Sequence, residues 1–138
     1  MARILVPLPA RDFDPTEVGV SCAVLTVMGH SCVFATPPGA PAAADPLMLT
    51  GQGLDPWGFI PLLRRLPLLG LALRADPRGR AAYQNLLSMP AFQHPVSWDQ
   101  AAAAGCDALL LPGGHRAAGM RAYLESPVLQ ALTVQFFA

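Results

Sequence analysis

Residues 106–120 read CDALLLPGGHRAAGM. From Asp107 to Pro112 the chain is almost uninterruptedly apolar, the pattern of a short strand covered on both faces in a parallel sheet. Pro112, Gly113 and Gly114 end the run, and His115 follows at once. At the carboxyl end of a parallel strand, backbone N–H groups are unpaired and face the crevice where α/β folds bind ligands. Two glycines there have no Cβ to block that approach, and they can adopt dihedrals that aim N–H donors at a carbonyl oxygen or a developing oxyanion. The same dipeptide also punctuates ordinary strand-to-helix turns. His115 is correspondingly either a polar loop residue or a group lining the crevice.

Outward from this stretch the chain repeats the alternation of strand and helix. RILVPLP (3–9) is a second continuous apolar run. In DPTEVGVSCAVLTVMG (14–29), Asp14 is a candidate N-cap, Pro15 suits the first helical position, Glu17 completes a capping-box pattern and Gly29 can end the helix. Val18, Cys22, Leu25 and Met28 form one apolar stripe and Val20, Val24 and Val27 another, so a core helix with little face to water is expected. SCVFAT (31–36) completes a strand–helix–strand unit, whose crossover is right-handed in almost all known cases. From 37 to about 96 the texture changes to a proline-, glycine- and alanine-rich connection followed by short helices, the clearest being RAAYQNLLS (80–88), and this segment reads as an insertion. SWDQAAAAG (97–105) is another capped helix, MRAYLES makes a turn or two, and Ser126 with Pro127 opens a last helix through VLQALTVQFFA.

The totals bound the functions available. A chain of 138 residues suits one domain with a real core. Hydrophobic residues at 53% and charged residues at 13% exclude a disordered chain. Nine basic and nine acidic residues leave no surplus to neutralise phosphates, so nucleic acid is not an expected partner. The most membrane-like piece, FIPLLRRLPLLGLAL (59–73), is shorter than the ~20 residues of a span and carries Arg64 and Arg65, so no membrane partner is expected either. The amino terminus lacks the h-region of a signal peptide. An odd number of cysteines at no metal-ligand spacing fits a reducing cytoplasm.

Few residues carry chemistry on their own pattern. Glu17 is a helix-stabilising capping glutamate or a catalytic carboxylate. Cys22 is mid-helix, Cys32 opens a strand and Cys106 precedes one, positions of small buried hydrophobes. His30, His94 and His115 form no recognisable metal triad, so no metal and no cofactor are expected. GQGLDPWG (51–58) does not continue as a dinucleotide fingerprint, and no G-x-S-x-G elbow is present. Trp57 and Trp98 read as packing residues.

Taken together, RILVPLP, FDPTEVGV, SCVFATPPGAPAAADPLMLTG, FQHPVSW and DALLLPGGHRAAGMRAYLESPVLQAL resemble, in order and wording, the ThiJ/PfpI family, also written DJ-one/PfpI, of the class I glutamine amidotransferase-like superfamily. The resemblance covers nearly the whole chain, is most specific at 107–132 and 33–50, and is loosest at 57–79. It implies a flavodoxin-like α/β three-layer sandwich with a parallel central sheet, and a cysteine nucleophile on a strand-to-helix elbow. Glu17 matches the family's carboxylate, which hydrogen-bonds to the thiol and can be held protonated in a half-buried site. Gly113 and Gly114 match the loop whose N–H groups form the oxyanion hole, and His115 matches a variable pocket position. The strand that bears the nucleophile follows the helix matched by SPVLQALTVQFFA, and these residues stop at Ala138, before it.

Residues 1–138 are therefore expected to be a single incomplete domain of this kind, its carboxy-terminal part missing and an insertion at about 37–96. DALLLP would then lie at an open, aggregation-prone sheet edge, with Phe136 and Phe137 partly exposed. Completed, such a protein would act on a small aldehyde, amide or peptide as a glyoxalase III, deglycase or peptidase, or serve as a stress-response chaperone, often as a homodimer. The alternative is a noncatalytic remnant or interaction module that binds a partner through the open edge.

Overall fold

Each apolar run finds a partner because a strand buried on both faces must fill its backbone hydrogen bonds with other strands. The computed structural model describes residues 1–101 and 105–137. β1 (Arg3–Pro7) pairs in parallel with β3 (Ser31–Thr36) on one side and with β6 (Ala108–Leu109) on the other, and β5 (Val96–Ser97) lies outside β3. The sheet order is β5-β3-β1-β6, all parallel. A second, two-stranded parallel sheet joins β2 (Arg11–Phe13) to β4 (Ala43–Ala44).

Alternation along β1 splits the interior into two layers of side chains. Ile4 and Val6 face a cluster with Val18, Cys22, Phe34, Tyr83 and Phe92, covered by α1 (Pro15–Val27) and α4 (Pro77–Leu87). Within it Phe92 meets Phe34 and Phe13 edge-to-face, at ring separations of 5.2 and 6.2 Å. Leu5 faces the opposite cluster, built from Ala35, Trp98, Met120, Tyr123, Leu129 and Leu132 under α6 (Trp98–Ala101), α7 (Ala117–Leu124) and α8 (Pro127–Phe137). The result is the expected three-layer, flavodoxin-like α/β arrangement.

Aspartate–proline pairs open three helices. Asp14 Oδ1 accepts from the N–H groups of Thr16 and Glu17 at α1, Asp45 Oδ1 from Leu47 at α2 (Pro46–Thr50), and Asp76 Oδ1 from Gly79 at α4. Between α2 and α4 lie a 3-10 turn (Leu63–Arg65) and α3 (Gly70–Leu73), and α5 (Pro90–Gln93) follows α4.

Three expectations are corrected. The valine stripe of α1 is not in the core: Val18 and Cys22 are buried, but Val24 and Val27 are 54% and 87% exposed, because only one side of α1 meets the sheet and α4. Glu17 does not close a capping box, since its carboxylate is directed elsewhere. The strand expected over 107–112 has ladder pairing only at Ala108–Leu109, extended by backbone bonds from Asp107 N–H to Arg3 and from Leu110 N–H to Leu5. Of the helix expected at 97–105, α6 covers the start, and residues 102–104 lie outside the described residues.

Candidate active site

The loop after β6 lies on the amino terminus of α1. Asp14 donates its backbone N–H to the Gly113 carbonyl at 2.9 Å. The Gly113 N–H in turn donates to Glu17 Oε2 at 2.6 Å, linking groups 96 residues apart in sequence. His115 Nε2 lies 3.2 Å from Asp14 Oδ2, while Asp14 Oδ1 still caps the helix. Glu17, Gly113 and His115 thus form one constellation at the carboxyl end of the sheet, and Gly114 joins their loop to the layer beneath. Glu17 and His115 are both exposed to solvent; neither is half-buried.

The paired glycines are required for space, not for unusual dihedrals, since neither has a positive φ. A Cβ on Gly114 would collide with the backbone carbonyl of Asp12 and approach Met120 Sδ to 2.8 Å. A Cβ on Gly113 would stand 3.2 Å from Glu17 Oε2. The Gly113 N–H is engaged by Glu17, and among the described residues the Gly114 N–H makes no hydrogen bond.

Beneath the loop is an acidic layer that pattern reading did not find. Asp12 is buried at a positive φ of 72°, a conformation that aspartate tolerates better than most residues. Its Oδ2 accepts from the Gly119 N–H at 3.1 Å, and its Oδ1 is 3.5 Å from Arg116. Gly119 too is held close, because a Cβ there would meet the Arg11 carbonyl. Asp45 is also buried, and its Oδ2 has no hydrogen-bond partner among the described residues. Burial pushes the Asp45 carboxyl above its usual range, the Leu47 N–H and the charges of Arg116 and His115 oppose that shift, and Asp12 adds to it. The signal in the sequence was the aspartate on either side of Phe13 and the repeated Asp-Pro pair, which only the fold gathers in one place.

The cysteines stand apart from this loop. Cys22 and Cys32 are both buried in the cluster under α1, where a hydrogen bond between the two side chains and burial raise the Cys22 thiol far above its ordinary value. Cys106 precedes β6, at the opposite end of that strand from Gly113, and burial raises its thiol as well. Among the described residues no group of three or more His, Cys, Asp or Glu side chains is placed to hold a metal ion, and no helix is long and apolar enough to cross a membrane.

No curated protein and no solved structure matches the chain. A family model described as ThiJ/PfpI family-like does match it, over residues 8–138, a span that takes in Glu17, the glycine loop and every strand after β1. With the parallel sheet and the carboxylate-to-glycine contact already in place, that match shows that the chain belongs to the ThiJ/PfpI family.

Proposed function

We propose that residues 1–138 carry the carboxylate and glycine-loop half of a cysteine-dependent site acting on a small aldehyde, amide or peptide, with chemistry of the glyoxalase III, deglycase or peptidase type, and are inactive by themselves. The observation that carries this reading is the 2.6 Å hydrogen bond from Gly113 N–H to Glu17 Oε2, which brings an exposed carboxylate to the loop after β6. A carboxylate there can take the proton of an adjacent thiol, and the thiolate is the nucleophilic form. As sulfur bonds to the carbonyl carbon, the carbonyl π electrons move onto oxygen, and the Gly114 N–H is the donor free to meet that charge.

The thiol is supplied by a strand laid against β6, outside these residues. Two features favour that position. β6 pairs only with β1 among the described strands. Beside its end an apolar cleft of about 370 Å³ is lined by Leu111, Leu124, Leu129 and Val134, and by Tyr123, whose buried hydroxyl has no hydrogen-bond partner among the described residues.

The test is turnover of methylglyoxal and of a small peptide amide by protein isolated from its native source. Loss on alkylation, together with strong impairment by Glu17→Gln, is expected. Turnover that withstands both would remove the thiol and Glu17 from the mechanism.

The same open edge supports a second reading, in which the chain is a noncatalytic module that adds a partner's strand beside β6. Leu111→Lys would then abolish partner capture or self-association without changing the fold. Association that survives Leu111→Lys would exclude the edge.

A further inference from the structure

Between α2 and α4 the chain presents an unusual surface. From Pro56 to Ala75 it contains three arginines and no acidic residue. Within that span Phe59, Leu62, Leu68 and Leu73 are 82%, 86%, 70% and 58% exposed. These side chains are displayed by a tied loop, not by a frayed one. The buried Asp55 carboxylate accepts from the N–H groups of Leu69 and Gly70 at 2.7 and 3.2 Å, closing the loop at its base. Trp57 Nε1 donates to the Leu66 carbonyl at 3.2 Å, and Ala75 N–H donates to Met48 at 2.8 Å. Beside the apolar display, Thr50, Gln52, Arg64 and Arg65 line a cleft of about 540 Å³ together with Phe59 and Leu47. Neither Arg64 nor Arg65 forms an ion pair among the described residues.

We propose that residues 56–75 dock the protein on the surface of an anionic phospholipid bilayer, with the leucine and phenylalanine side chains in the acyl boundary and Arg64 and Arg65 on headgroup phosphates. Binding at such an interface scales with the apolar area buried and with attraction to anionic lipid. Arginine suits it because its stem packs on apolar groups while its head stays with the phosphates, and tryptophan sits at headgroup level. A span needs ~20 residues, but lying on a surface does not, so the shortness of this stretch bears only on crossing. Charge selects the occupant. A two-fold contact with a second copy sets the same patch against itself, and here that brings arginines together with no carboxylate between them, whereas an anionic surface neutralises them.

The experiment is co-sedimentation of the full chain with vesicles of phosphatidylcholine alone and of phosphatidylcholine mixed equally with phosphatidylglycerol, with circular dichroism of each variant as the check on folding. The chain is expected to sediment with the mixed vesicles and not with the zwitterionic ones, and less so in high salt. Arg64→Gln with Arg65→Gln should lower the partition about 30-fold, the factor expected for two interfacial arginines. Phe59→Ser with Leu62→Ser should lower it as well, and Arg121→Gln on α7 should leave it unchanged. Folded protein that ignores anionic vesicles, or a double arginine variant that binds like the parent, overturns the proposal. So does light scattering in which Phe59→Ser with Leu62→Ser turns a dimer into a monomer while no vesicle binds, which would assign the patch to a second copy.

Discussion

Replacing Gly114 by alanine adds one methyl group where the chain has no room. The new Cβ would run into the Asp12 carbonyl and lie 2.8 Å from Met120 Sδ. Met120 can swing away. The Asp12 backbone cannot easily do so, because its φ of 72° and the bond between its carboxylate and the Gly119 N–H hold it in place. Gly114 itself has no positive φ, so alanine suffers no backbone penalty and the cost is steric. Inserting a methyl into a tight site costs ~1–3 kcal/mol, and a rigid carbonyl puts this case near the upper end, about 3 kcal/mol. With an unfolding entropy of ~2.1 cal/mol/K per residue, a chain of this length loses about 3–4 °C in Tm per kcal/mol, so a fall of about 10 °C is expected. Gly113→Ala is the internal control: its Cβ would stand 3.2 Å from Glu17 Oε2, the end of an exposed side chain that can rotate, and the cost should stay below about 1 kcal/mol. Thermal melts followed by circular dichroism measure both. A Gly114→Ala melt within a degree of the parent, or a larger fall for Gly113→Ala, would refute the crowding argument.

Glu17→Ala removes the acceptor for the Gly113 N–H at an exposed position, and alanine's helix propensity offsets part of the loss, so the net cost should be less than about 1 kcal/mol; Glu17→Gln keeps an acceptor and should melt within a degree of the parent. Asp45 is a carboxyl whose native titration lies above the unfolded one, so the native state holds its proton to higher pH. Its contribution to stability is fully present below about pH 4 and is lost as pH rises through the native value. Asp45→Asn keeps the N-cap and should flatten that part of the stability profile, and equal pH slopes for both proteins in chemical denaturation would show that Asp45 is not responsible. With a thiol reagent at neutral pH, Cys22 and Cys32 should stay unreactive in the native chain and Cys106 should react slowly, whereas all three should react at once in denaturant; fast native labelling of Cys22 would contradict its burial.

Much of the fold was legible because its signals are local. Asp14 before Pro15 announces a helix within a few residues, and continuous apolar runs announce strands buried on both faces. The position of the glycine loop was legible for the same reason: Gly113 and Gly114 directly follow an apolar run. Glu17 stood out as a site candidate only through family resemblance, since by local pattern a glutamate at that position is a capping residue. The valine stripe of α1 was misread because composition shows that a side chain is apolar but not whether a neighbour covers it.

The amino-acid sequence by itself determined the class of the protein, the order of β1, α1, β3, β6 and α8 along the chain, and the position of its glycine loop, because caps, turns and apolar periodicity act over three or four residues; the two- and three-residue strands β2, β4 and β5 are too short to show such a pattern. Only the tertiary structure decided that the Gly113 N–H meets Glu17, that His115 stands on the cap of α1, and that Asp12 and Asp45 are buried beneath that loop. Those contacts join residues far apart in sequence, and they depend on how β1, β6 and α1 stack. Layer packing sets such distances, and no short window of sequence encodes them.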